Sequence, residues 1–177
     1  MRPRRKVTRN PLRALTSPEP RGLLNTTNVQ AVTNGVNGAS LATTRYANLF
    51  SGAQAILQAD GAMPTSIICS PRTKVGLASL MDTTNQPMRM PAMLESLPII
   101  ATSQISNALT VGSSTDCSQI FMGNFSQMAF MMRERLSIQL ATELYAGTGQ
   151  IGFFAHARVD VAVMYPKAFA AITGVRP

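Results

Sequence analysis

A chain of 177 residues with 45% hydrophobic content is long enough for one domain with a real core and too short for two full domains. Its net charge of +8 suggests a nucleic-acid partner until it is located: Arg2, Arg4, Arg5, Lys6, Arg9, Arg13 and Arg21 against Glu19 place +6 in the first 22 residues and leave +2 on the rest. Two cysteines without CxxC spacing and a single histidine argue against a metal site, and no cofactor is expected.

Residues 1–21 read as a basic, proline-rich arm, too poor in large apolar side chains to offset the entropy of ordering. Such an arm neutralises phosphates, binds an acidic neighbouring surface or stays solvated, and the residues leave all three open. Pro3, Pro11, Pro18 and Pro20 interrupt the amphipathic helix of an organellar transit peptide, and the basic start runs into Asn10-Pro-Leu-Arg13 rather than an apolar leader. No stretch approaches the roughly 20 apolar residues of a membrane span, so an intracellular origin is expected.

From Gly22 onward a short strand is expected around Asn28 to Val32, followed by the turn-prone Asn34-Gly35 and Asn37-Gly38. Tyr46, Leu49, Phe50, Ala53, Ile56 and Leu57 form a helical stripe that predicts a helix from Thr44 to about Ala59. Thr65 to Ser70 reads as a strand, and Ser70-Pro71 as an N-cap with proline at the first helical position. The helix it opens should run to about Met81, with either Val75, Ala78 and Met81 or Leu77 and Leu80 inward.

Asp82 to Met93 is irregular and methionine-rich, suited to adaptable packing against a partner or to a loop tucked over its own core. Leu97 to Thr102 is a strand, and Ile105 to Asp116 a polar connection. Strand-sized runs follow at Gln119 to Asn124, Gln127 to Met132 and Leu136 to Leu140. Ala146 to Gln150 breaks the chain before Ile151 to His156 lead into a closing strand. In that strand Val159, Val161, Val163 and Tyr165 face one side and Arg158, Asp160, Ala162 and Met164 the other, before Pro166 and a small apolar segment. Strands bracketing two helices predict an α+β fold, a mixed sheet with packed helices.

Raw material for catalysis is scarce. His156 has no nucleophile-elbow sequence to serve, and the carboxylates are scattered rather than paired, so no enzyme is expected. Gly147-Thr-Gly149 lacks the lysine and spacing of a phosphate cradle. Arg133 and Arg135 fall on one side of an extended chain with Glu134 opposite, a solvated edge or an ion-pairing surface between subunits.

Five segments, in order, resemble the major capsid protein family of tailed phages, whose fold is named after the Hong Kong ninety-seven phage and recurs in encapsulin shells. They are Gly22-Leu-Leu-Asn25; Ser66-Ile-Ile-Cys-Ser-Pro-Arg72 with Leu77, Leu80 and Met81-Asp82; Leu97-Pro-Ile-Ile100; Ile120-Phe-Met-Gly-Asn-Phe125; and Phe154-Ala-His-Ala-Arg158 through Tyr165-Pro-Lys-Ala-Phe169. Ser96 stands where the family has glycine before its "Leu-Pro-Val-Val" strand. The resemblance implies an axial domain over residues 22–177 that includes the returning strand of a peripheral domain. The family's long spine helix and extended loop find no room in this chain, which leaves Val159, Val161 and Val163 in need of another cover.

What the resemblance implies for function is assembly: a coat subunit of a tailed phage or prophage that meets copies of itself in pentamers and hexamers and builds an icosahedral shell around DNA. The protein would be made in the bacterial cytoplasm and reside in the virion capsid, with no membrane or small-molecule partner. Met88, Arg89, Met90 and Met93, the stretch Asn107 to Asp116, and Arg133, Glu134 and Arg135 are expected at subunit contacts, and Arg2, Arg4, Arg5, Lys6, Arg9 and Arg13 on DNA or a neighbour. The alternatives are a nucleic-acid-binding protein working through the arm alone and an encapsulin-like compartment subunit.

Overall fold

The computed structural model describes residues 21–141 and 146–176; residues 1–20 of the 1–21 arm lie outside them. Among the described residues nine strands and four α-helices follow in chain order: β1 (Gln30–Thr33), β2 (Ala39–Ser40), α1 (Leu41–Thr44), α2 (Ala47–Gln58), β3 (Ser66–Cys69), α3 (Pro71–Ala78), α4 (Ala92–Glu95), β4 (Ile99–Ala101), β5 (Leu109–Val111), β6 (Ser114–Gly123), β7 (Met128–Ala141), β8 (Gly152–Val163) and β9 (Phe169–Arg176). They form two sheets. The larger, the body, has the order β1-β9-β6-β3-β4, with β2 added to β9 and β5 to β6; the smaller is a ribbon of β7 and β8.

The small apolar segment after Pro166 is the centre of the body. As β9 it runs antiparallel to β6, with Gly123 opposite Phe169 and Ile120 opposite Ile172, and parallel to β1, with Gln30 opposite Ala170. Both its faces are covered. Ala170, Ile172 and Val175 join Ile120, Met122 and the helices α2 and α3 in one core, while Phe169 and Ala171 join Phe121, Leu23 and Ile105 in a second core on the opposite face. A strand buried on both sides loses its polar alternation and reads as a continuous apolar run.

Helix α2 is shorter than its stripe predicts. Arg45 takes φ 52° and ψ −124° between α1 and α2, a backbone region that costs a non-glycine residue, and breaks the helix there. Leu49, Ala53 and Ile56 are buried, whereas Phe50 and Leu57 sit at the margin and stay partly exposed. Helix α3 ends at Ala78; Leu77 and, just past its end, Leu80 are buried while Val75 and Met81 are exposed, so the second of the two predicted faces is the inward one. Gly123 is where body strands crowd: a Cβ there would overlap the Phe169 ring and lie 2.7 Å from the carbonyl oxygen of Ala168. Among the described residues no helix is long and apolar enough to cross a membrane.

Candidate assembly surfaces

Ser70-Pro71-Arg72 builds the body rather than a reaction centre. The Ser70 hydroxyl accepts from the Thr73 backbone N–H at 3.2 Å, capping α3. Ser118 donates its hydroxyl proton to the Val175 carbonyl at 3.1 Å, so it must accept from Thr73 at 2.8 Å, and Thr73 in turn accepts from Ser70 at 3.0 Å. All three hydroxyls are buried and satisfied, tying α3 to β6 and β9. Arg72 donates to the carbonyl of Asp116 at 2.6 Å, and the Asp116 carboxylate accepts from Arg176 Nε at 2.8 Å, which clamps the start of β6 to the end of β9. Burial pushes the Cys69 thiol up to about 11, against the pull of the Lys74 charge, so it is neutral and inert at ordinary pH. Cys69 and His156 lie in different sheets, and the structure does not bring them together. Among the described residues no group of three His, Cys, Asp or Glu could hold a metal ion.

The loop after α3 is fastened down. The buried Tyr46 hydroxyl reaches the carbonyls of Leu77 at 3.2 Å and Met88 at 3.3 Å, and burial holds its pKa above the ordinary value. Met88 and Met90 pack against the body's own core. Met93 and Arg89 face outward, with Arg89 3.1 Å from Glu95. Met93 also borders a cleft on the outer side of α2 lined by Phe50, Gln54, Leu57 and Gln58. The polar connection from Ile105 to Asp116 is partly strand: β5 folds back on β6, and the Asn37 side chain caps the turn by accepting from Ser113 N–H at 3.1 Å.

The ribbon is unlike anything in the body. Its cross-strand pairs Met128–Val163, Phe130–Val161, Met132–Val159, Ile138–Ala155 and Leu140–Phe153 share one face, because opposed residues in an antiparallel ladder point the same way. On β8 that face is Phe153, Ala155, Ala157, Val159, Val161 and Val163, without a charge along its length. The other face carries Glu134, whose carboxylate lies 3.3 Å from His156 Nε2 and 3.4 Å from Arg158 Nε. Arg133 and Arg135 are exposed beside it. Register shifts on either side of Glu134 join two strand-sized runs into one strand of 14 residues.

At its base the apolar face meets the body. Val163 and Met128 pack with Leu23 and Phe125, and Phe125 sets its ring edge-on to Phe169 at 5.5 Å. A cavity of about 320 Å³ lies there, bordered by Arg21, Phe130 and Val161. Farther out, Phe130, Ile138, Leu140 and Phe153 are 58–69% exposed. The alternation Val159, Val161, Val163 pointed to this face, but its extension through Phe153 and across to β7 depends on a pairing that periodicity alone does not show.

A mixed sheet with helices on one side and a long ribbon projecting from its connection is the coat fold of phage shells, and three solved structures show the likeness. The capsid of a native GTA particle is 16% identical with a TM-score of 0.64, over 88% of this chain and 56% of that one. A structure from Mycobacterium phage Ogopogo is 18% identical with a TM-score of 0.64, over 93% and 59%. The holo encapsulin complex of Synechococcus elongatus is 13% identical with a TM-score of 0.58, over 88% and 57%. The chain thus spans less than two thirds of the length of each. No curated protein sequence matches it. The profile of the phage capsid family matches residues 13–174, and the chain belongs to that family.

Proposed function

We propose that the chain is a structural coat subunit of a tailed phage or prophage, one that works by assembling with copies of itself into rings and a closed shell around DNA. The observation that carries this reading is the division of the molecule in a member of the phage capsid family: a body sealed by two cores, and a ribbon whose apolar face lies largely open. A surface of that kind is kept by a protein with a partner to meet. Rings follow when each subunit offers two different faces to its neighbours, and the exposed Arg89 before α4, Met93 in α4 and Arg133 and Arg135 on the ribbon are the side chains this reading assigns to such contacts. The arginines of the arm would neutralise phosphates of enclosed DNA, with an affinity that falls steeply as salt rises.

Light scattering on the purified chain tests the reading. A pentamer, hexamer or shell is expected, and one chain at every concentration would sink it. Nuclease-resistant DNA inside the particles separates a genome shell from a protein compartment.

A further inference from the structure

We infer that Asn37 is a self-modifying site, whose side-chain amide is attacked by the backbone nitrogen of Gly38, loses ammonia and ends as isoaspartate or aspartate. The chain holds two Asn-Gly pairs, at Asn34 and Asn37, and the fold treats them in opposite ways. Asn34 is buried at 6% exposure, and its Nδ2 donates to the carbonyls of Ala39 at 3.0 Å and Gly174 at 3.3 Å. Ammonia cannot leave from there without breaking both bonds in the body's interior. Asn37 is exposed in the turn before β2. Its oxygen is the atom that is held: the Ser113 backbone N–H donates to Oδ1 at 3.1 Å. Among the described residues no group accepts from Asn37 Nδ2, so the nitrogen that must depart is free.

This arrangement favours the reaction. A donor on Oδ1 draws electrons from Cγ and steadies the negative charge that gathers on the oxygen during attack, as backbone donors do in an oxyanion hole. Gly38 N–H gives its proton to hydroxide, the nitrogen bonds to Cγ to close a succinimide ring, and the Cγ–Nδ2 bond breaks as Nδ2 takes a proton from water and leaves as ammonia. Water then opens either ring carbonyl, so one water enters for each ammonia lost. Packing keeps the reactive glycine in place. Gly38 has φ 69°, and a Cβ there would lie 2.8 Å from the Gly174 carbonyl oxygen and 2.9 Å from Cys117 Sγ, so a side chain does not fit. In the isoaspartate product Oδ1 becomes a backbone carbonyl oxygen and the main chain gains a carbon, which undoes the tie between the β1–β2 loop and the β5–β6 turn.

Incubation of the full chain at pH 8.5, folded and in concentrated urea, with mass spectrometry of the two peptides, makes the test. Folding should slow conversion of Asn34 several-fold more than it slows Asn37. Equal slowing of the two, or greater slowing of Asn37, would overturn the assignment. An isoaspartyl methyltransferase should label the Asn37 product, because the ring opens on both sides; aspartate alone would mean hydrolysis without the ring, and would overturn the Gly38 attack. Hydrogen exchange then reads the consequence. The Ser113 amide should exchange several-fold faster in the isoaspartate form than in the fresh chain, whereas Asn37→Asp keeps an oxygen for that N–H and should leave it protected. Equal protection in the fresh and isoaspartate forms would overturn the loss of the tie.

Discussion

Strands β8 and β9 are both rich in apolar residues, yet β9 is buried on both faces and β8 is exposed along most of its length. The difference lies in their neighbours. β9 lies between β1 and β6 with α2 on one side and Leu23, Phe121 and Ile105 on the other. Among the described residues β8 has one partner strand, and cover at its base alone. Apolar content therefore tells how much surface a strand would hide, while topology decides whether the chain itself hides it. The body holds the fold together, and among the described residues the ribbon's outer face stays open.

The largest effect that tests this division is Phe169→Ala. Its ring fills the second core and meets Phe125, so its removal should cost about 3–5 kcal/mol of unfolding free energy in urea. Phe153→Ala, at 69% exposure on the ribbon, should stay within about 0.5 kcal/mol of wild type. Equal losses at the two sites would abolish the distinction. Gly123→Ala comes next: the added methyl must displace the Phe169 ring and press on the Ala168 carbonyl, at about 1–3 kcal/mol by the same measurement.

Thr73→Val keeps the shape of α3 and removes the middle of the buried hydroxyl chain, leaving the Ser70 proton without its acceptor and Ser118 without its donor. A loss of about 1–3 kcal/mol is expected, and Ser118→Ala in the same chain should be less than additive with it. A smaller effect depends on pH. The Cys69 thiol is raised from 9.0 to about 11 in the folded protein, so the folded state holds its proton more tightly. That contribution is fully present below about pH 9 and is lost as pH rises toward 11. Urea midpoints at pH 8 and pH 10.5 should thus fall further for wild type than for Cys69→Ala; parallel falls would mean that the thiol is not sealed in the body.

How legible was this in the residues? Helices α2 and α3 were, because periodicity and the Ser70-Pro71 cap act locally, and the mixed α+β class followed from them. Five ordered segments were enough to reach the capsid family. β9 was hidden, because Phe169-Ala-Ala-Ile172 has no polar alternation to mark a strand sealed on both sides. The continuity of β7 was hidden by the charges of Arg133-Glu-Arg135, which look like a break and are accommodated by bulges. The role of Met88 and Met90 turned on Tyr46, 42 residues before Met88, and no local pattern announces such a hydrogen bond.

The least effect expected, and the sharpest probe of the boundary between body and ribbon, is Glu134→Gln. The substitution leaves the shape and removes the charge that faces His156 and Arg158. All three side chains are more than a third exposed, so water and salt already screen the attraction, and pairs of this kind are worth about 0–1 kcal/mol. Whatever they contribute lies within the ribbon, which exchanges its amide protons by local opening if it is a separate unit from the body. Global unfolding of Glu134→Gln should then match wild type, while amides of β7 and β8 near the site exchange somewhat faster, and the gap should close at about 1 M salt, where the screening length is about 3 Å. Faster exchange that spread into β6 and β9 would show the ribbon and body opening as one unit, and the ribbon would then be part of the fold's own stability.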